Sequence, residues 1–256
     1  MKYDVVTAVH QGKRDYQEDA VAANFAIGAD HGFAVLADGM GGHAAGDVAS
    51  KIVVTEVFAE LTFQMSQPTI LEATFGSTMK RCLSSANACI AAHLEQEPSH
   101  KGMGATLVAP VVFGERLYWI SVGDSPLYLI QKGRLKVLNS DHSMAPQIDL
   151  MVERGLLDKE EGRCHPDRSC LTSVVMGRDI ALVDCMDAPT HLRDGDVVIA
   201  ASDGLQYLEA DQIEEIVAGV SGPSSDIARG LMEALEELDD PDQDNISMAV
   251  IKCMAA

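Results

Sequence analysis

Positive charge is scarce in this chain: 19 Lys and Arg residues stand against 39 Asp and Glu among 256, a formal net charge of −20. Such a surface repels nucleic acid and anionic membrane, so neither is an expected partner. Long apolar runs are missing as well. The opening MKYDVVTAVH has no apolar core of signal-peptide length, and nothing later approaches the roughly 20 apolar residues of a membrane span. A cytoplasmic location is expected. The six cysteines, Cys82, Cys89, Cys164, Cys170, Cys185 and Cys253, lack the close paired spacing of a zinc site. In a reducing compartment they serve as core fillers. Linkers, repeats and low-complexity stretches are absent too, which favours one domain over 1–256.

What is present is enough apolar sequence for a sizeable core, 47% hydrophobic against 23% charged. The stretch Val35 to Ser50, VLADGMGGHAAGDVAS, organises the rest. An apolar run ends in Asp38, glycines 39, 41 and 42 surround Met40, and a helix-compatible segment begins near His43. A carboxylate at the end of a buried strand is held rigidly, and glycines let backbone groups approach a ligand. Asp38 is thereby placed to hold a hard cation. The alternative is a strand-to-helix turn whose Asp bonds its own backbone.

Residues 2–10, 20–26 and 32–37 read as strands, and 44–65 and 69–96 carry helical periodicity. GATLVAPVVF, RLYWISVGD, PLYLIQ and RLKVL, separated by turns, read as a β-meander. A polar, partly helical insertion, a flap over about 141–167, is followed by strands at 171–176, 181–186 and 196–201. Helices at 209–218 and 224–238 precede a closing strand, ISMAVIK. Strands and helices segregate rather than alternate, which predicts antiparallel sheets. The expected fold is α/β (α+β): a four-layer α/β/β/α sandwich, two antiparallel sheets flanked by helices, with a flap.

Aspartates recur at strand ends: Asp38-Gly39, Gly123-Asp124, Asp203-Gly204, and Asp244 just before the last strand. Several buried carboxylates at the ends of one sheet system imply a compensating cation. Oxygen donors without a His or Cys cluster point to Mg²⁺ or Mn²⁺ rather than zinc.

With RDYQEDA, ADGMGGHAAGDVAS, GATL, VGDS, SDHS, SDGL and DNIS in this order, the chain resembles the metal-dependent protein phosphatase (PPM, type 2C) family over nearly its whole length, in its bacterial type. The resemblance implies hydrolysis of phosphoserine and phosphothreonine on proteins, reversing a protein kinase, by a hydroxide bridging two Mn²⁺ or Mg²⁺ ions. It implies that Asp38, Asp203 and Asp244 bind the first ion, and Asp38 with the Gly39 carbonyl the second. Glu18 and Asp19 support the pair, largely through water. Asp124, with Asp203, matches a weaker third metal site. Arg14 binds the substrate phosphate bidentately; Lys13 is read as solvated. His43 is either the proton donor to the leaving oxygen or a helix-start histidine ordering the glycine turn. His142 is expected to be structural. A monomer acting on phosphorylated proteins, a Ser/Thr kinase or its targets, is the expected arrangement.

Two residues depart from the family pattern: Gln17 replaces the usual Asn, and Pro126 the Arg that commonly follows VGDS. They motivate one alternative, a non-catalytic phosphoprotein-binding module on the same fold. A second is a phosphohydrolase for small phosphate esters.

Overall fold

The computed structural model describes residues 1–41, 44–186 and 188–255. In chain order it forms β1 (Lys2–His10), β2 (Ala20–Phe25), β3 (His31–Ala37) and β4 (Gly39–Met40), then α1 (Ala44–Gln64), α2 (Pro68–Ala73) and α3 (Phe75–Gln96). The strands β5 (Gly104–Ala105), β6 (Leu107–Phe113), β7 (Arg116–Val122), β8 (Leu127–Gln131) and β9 (Arg134–Val137) follow, then the flap helices α4 (Ala145–Glu153) and α5 (Lys159–Arg163). Last come β10 (Asp184–Cys185), β11 (Thr190–His191), β12 (Val197–Ala201), α6 (Ala210–Gly219), α7 (Ser224–Leu238) and β13 (Ile246–Met254).

The strands sort into two antiparallel sheets, one in the order β1-β13-β12-β8-β9 and the other β10-β7-β6-β3-β2, with β11 also on β7. Period-two alternation decides which residues meet between them. Leu36, Val108 and Trp119 from one sheet and Leu129, Val198 and Ile251 from the other share a dry inter-sheet core. The opposite face of the six-stranded sheet packs Val35, Leu107 and Ile120 against Val53, Val57, Met79 and Leu83 of α1 and α3. Ile199, Met248 and Val250 pack under Ile213, Ile227, Leu231 and Leu235 of α6 and α7. In α7 the apolar positions 227, 231 and 235 fall four apart, one stripe of a helix. The four-layer α/β/β/α arrangement follows. No helix among the described residues is long and apolar enough to cross a membrane; none of the cysteines is joined in a disulfide, and Cys82 and Cys253 are buried as expected of core fillers, whereas Cys164 and Cys170 are exposed and are not.

Three local expectations are corrected. The helix expected over 69–96 breaks at Thr74, whose φ and ψ are −116° and 18°. Its Oγ1 bonds the Ile70 carbonyl at 2.9 Å, the back-bonding by which Thr bends a helix. The meander is two hairpins in different sheets: β6 and β7 pair in one, β8 and β9 in the other. Strand 171–176 reduces to single bridges at Leu171 and Val175, and 181–186 to Asp184–Cys185.

Register places one end of both sheets at a common rim. His10 at the end of β1 faces Ile246 at the start of β13, and Ala20 at the start of β2 faces Ala37 at the end of β3. Leu107 faces Val122, and Ala200 of β12 faces Leu127 of β8. Every loop that carries a strand-end carboxylate leaves from this rim.

Candidate metal centre

Glu18 and Asp19 lie just before β2, Asp38 just after β3, and Asp124 in the step from β7 to β8. Asp203 opens the short helical turn Asp203–Tyr207 after β12, and Asp244 precedes β13. Two hydrogen bonds hold Asp38 to Thr106, between β5 and β6: its N–H donates to Thr106 Oγ1 at 2.9 Å, and its carbonyl accepts from Thr106 N at 2.9 Å. Thr106 Oγ1 is itself 2.7 Å from Ser125 Oγ in the β7–β8 step. Asp19 Oδ2 accepts from Ser202 Oγ at 2.8 Å, which ties the β2 end to the β12 end across the sheets.

At Gly39 a close approach excludes any side chain. A Cβ there would collide with the carbonyl oxygens of Gly46 and Glu18, while Gly39 N donates to Glu18 O at 3.2 Å. The loop that carries Arg14, Gln17 and Glu18 is clamped by Asn245. Its Nδ2 donates to the carbonyls of Gln11 at 2.8 Å and Tyr16 at 3.0 Å, and its Oδ1 accepts from Glu18 N at 2.7 Å. Replacing Asn245 by Ala removes three part-buried hydrogen bonds that hold this loop and is expected to cost about 2 kcal/mol. Urea unfolding of the metal-free protein would show it as a lower midpoint; an unchanged midpoint would contradict the clamp.

Electrostatics mark the rim as overcrowded with negative charge. Burial raises the Asp38 carboxyl well above its ordinary range, and Asp19, Asp203, Asp124 and Asp244 raise it further. Burial and Asp244 raise Asp203, whose carboxyl meets that of Asp38 within hydrogen-bonding range. Burial pushes Asp19 up to about 7 against the hydrogen bonds from Ser202 and Ser247. Asp124 rises to about 7 through burial and the neighbouring Asp203 and Asp141. Glu18 is raised chiefly by burial.

The donor set fits a hard divalent cation. Glu18 Oε1, Asp19 Oδ1 and Asp203 Oδ1 are buried without a hydrogen-bond partner among the described residues, and such orphaned carboxylate oxygens are costly unless a cation meets them. Yet no three His, Cys, Asp or Glu side chains among the described residues converge on a single point as a closed metal cage does. Mg²⁺-type ions retain several waters, so they do not require a closed cage of protein ligands. A rim of separated carboxylates and a backbone carbonyl suits them better than a cage.

The other expected residues divide. Arg14 donates to Asp244 Oδ2 at 2.6 Å with its side chain 56% exposed. Lys13 instead pairs with Asp239 at the surface, 2.7 Å away. His142 is buried in the turn, accepting Gly123 N on Nδ1 at 3.2 Å and donating its own N–H to Gly123 O. It is structural, as expected, and burial lowers its pKa. His43 lies outside the described residues. Gln17 fits imperfectly: Nε2 reaches Ser247 Oγ only at 3.4 Å, and Oε1 is buried without a partner. The sequence motifs GATL, VGDS and DNIS contain Thr106, Ser125 and Asn245, but their positioning roles emerge only from contacts across the fold.

The family model for protein phosphatase 2C matches residues 8–147. The serine/threonine protein phosphatase PstP of Mycobacterium tuberculosis is 35% identical over 188 residues, 71% of this chain but 34% of that protein. This chain therefore matches about a third of that relative's length. Protein phosphatase PhpP of Streptococcus pneumoniae is 30% identical over 219 residues, 85% of this chain and 84% of its own. Among solved structures, the M. tuberculosis phosphatase PstP/Ppp superposes with a TM-score of 0.80 at 28% identity, covering 100% of both chains. The PstP catalytic domain in complex with two manganese ions gives 0.77 at 28% identity, covering 99% of each. The carboxylate rim thus sits in a chain matched across its length by phosphatases, and the chain belongs to the protein phosphatase 2C family.

Proposed function

We propose that this chain is a single-domain, metal-dependent phosphatase that hydrolyses phosphoserine and phosphothreonine on proteins and so opposes a protein kinase. The observation that carries this is the meeting of six acidic residues from both sheets at one rim, with buried carboxylate oxygens left unpartnered. Asp38, Asp203 and Asp244 would hold the first of two Mn²⁺ or Mg²⁺ ions, Asp38 and the Gly39 carbonyl the second. Glu18 and Asp19 would order the surrounding water, and Asp124 with Asp203 would serve a weaker third ion. When bound, such ions make a water nucleophilic near neutral pH and neutralise charge developing on phosphoryl oxygens.

The chain's own part is positioning. Thr106 fixes the Asp38 backbone and Ser202 the Asp19 carboxylate, from opposite sheets. Arg14 spends one donor on Asp244, and a guanidinium has five, so others remain for two oxygens of a phosphate ester. His43 is proposed as the proton donor to the departing Ser or Thr oxygen. The flap over 141–167 would border the bound phosphoprotein; Arg168 pins it through Asp149 at 2.6 and 3.1 Å. A cytoplasmic monomer is the proposed form.

The test is hydrolysis of a phosphothreonine peptide by metal-stripped protein. Turnover is expected with Mn²⁺ and not with buffer alone, and faster than on nucleotides or sugar phosphates. No turnover in folded protein that binds the ions would favour a phosphoprotein-binding module, and a preference for small esters would reassign the substrate.

A further inference from the structure

Beside the metal rim lies a cleft of about 310 Å³ lined by Asp124, Pro126, Tyr128, Val137, Asn139, Asp141, Gln206 and Leu208. Its size is at the lower end for ligand pockets, enough for one side chain or a small ligand. One wall is apolar: Pro126, the Tyr128 ring, Leu208 and Val137, the last 52% exposed. Asn139 is bonded on both sides, to Leu127 N and Ser125 O, but other polar groups of the cleft offer open acceptors. Asp124 receives no hydrogen bond on its carboxylate from another described residue; Gln206 reaches only its backbone oxygen, at 3.4 Å. Asp141 uses Oδ1 for the Ser143 N–H at 2.8 Å and leaves Oδ2 open. The Tyr128 ring is buried, the residue being only 7% exposed, and its hydroxyl lies at the cleft without a hydrogen bond to another described residue. No Lys, Arg or His lines the cleft. The cleft therefore holds no cation of its own among the described residues.

We propose that this cleft is a specificity subsite for a lysine or arginine of the substrate protein near the phosphorylated residue. The proposal rests on the phosphatase reading and names the substrate class that this site prefers. Long basic side chains lay their methylene stems on apolar surface and carry the charge at the tip. Val137, Leu208 and Pro126 offer the surface, and Asp141 Oδ2 and the Tyr128 oxygen the acceptors, with Asp124 at the edge toward the metal rim. Guanidinium suits this set best, because it has five donors and no acceptor. A bare divalent ion would satisfy the carboxylates but would gain nothing from the apolar wall or from a neutral phenol. An acidic side chain would meet two carboxylates and be rejected.

The experiment measures kcat/KM with saturating Mn²⁺ on phosphothreonine peptides carrying Arg, Lys, Ala or Glu at each flanking position in turn. At one position Arg is expected to exceed Ala by about tenfold, mainly through KM, with Glu below Ala. Asp141→Asn keeps the Ser143 contact, and Tyr128→Phe removes only an unpartnered hydroxyl. Both are expected to reduce the Arg-to-Ala ratio at that position and leave the Ala peptide unchanged. An Arg advantage spread evenly over all positions and indifferent to Tyr128→Phe would reflect the acidic surface at large and overturn the subsite, as would no Arg advantage. Failure to hydrolyse any peptide overturns the phosphatase reading, and this proposal with it.

Discussion

Asp203→Ala is expected to abolish Mn²⁺-dependent hydrolysis of a phosphothreonine peptide, by on the order of 10³-fold or more, while making the metal-free protein more stable than its parent. The two effects have one cause. Asp203 is held by burial and by Asp244 in a form that resists ionisation, with Oδ1 unpartnered. Without a cation this carboxylate is a liability, because like charges in a partly dry site repel. With two divalent ions it is what holds them, and several kcal/mol of charge stabilisation at the phosphoryl oxygens depend on their placement. Removing it relieves the repulsion and loses the chemistry together. Asp38→Asn should behave alike, since its amide keeps the shape and its backbone bonds to Thr106 are untouched. The measurement pairs steady-state rates with thermal melts in EDTA. Lost activity with a lower melting temperature would mean that Asp203 holds the fold, and retained activity would remove it from the proposed centre.

The carboxylates were legible in the sequence because each stands against a strand end, where an apolar run stops abruptly and the side chain cannot move far. Asp38 after FAVLA and Asp203 after VVIAAS need no tertiary information to be noticed. That they meet does. The register of β2 on β3 and of β1 on β13 brings 19, 38, 203 and 244 to one rim, and no periodicity encodes register between segments 200 residues apart. Asn245 shows the same limit: DNIS is visible, but its clamp on Gln11 and Tyr16 spans 234 and 229 residues. The switch of sheet between β7 and β8 was hidden for another reason. Asp124-Ser125-Pro126 looks like any short hairpin connection, and only the pairing of β8 with β9 and β12 rather than with β7 reveals a chain stepping from one layer to the next. Thr74 is the opposite case, a local event masked by tertiary packing: Ile70, Leu71, Phe75 and Met79 keep a helical spacing across the break, so the pattern reads straight through it.

The second large effect is on stability against pH, and its sign separates the metal-free from the metal-bound protein. Asp19 and Asp124 are pushed up to about 7 by burial and their neighbours, and Asp38 and Asp203 are raised by the same causes. Unfolded, each carboxyl returns to the ordinary range near 4. A folded pKa above the unfolded one means that the folded state binds protons more tightly. The stabilisation is therefore complete below about pH 4 and is lost as pH rises through about 7. In EDTA the protein is expected to be more stable at pH 5 than at pH 8, by on the order of 3 kcal/mol, or about 10 °C in melting temperature. Divalent ions compete with protons for these same oxygens and stabilise in proportion to the logarithm of their occupancy. With excess Mn²⁺ the trend should flatten or reverse, so the gap between Mn²⁺ and EDTA melts widens from pH 5 to pH 8. The net charge of −20 also destabilises at high pH, but salt screens that repulsion and Asp203→Ala barely alters it. If melts in EDTA at high salt kept the same pH slope in Asp203→Ala as in the parent, the rim carboxylates would not be its source. A slope that shrinks in the variant identifies the rim as the part of the fold whose stability waits on a cation.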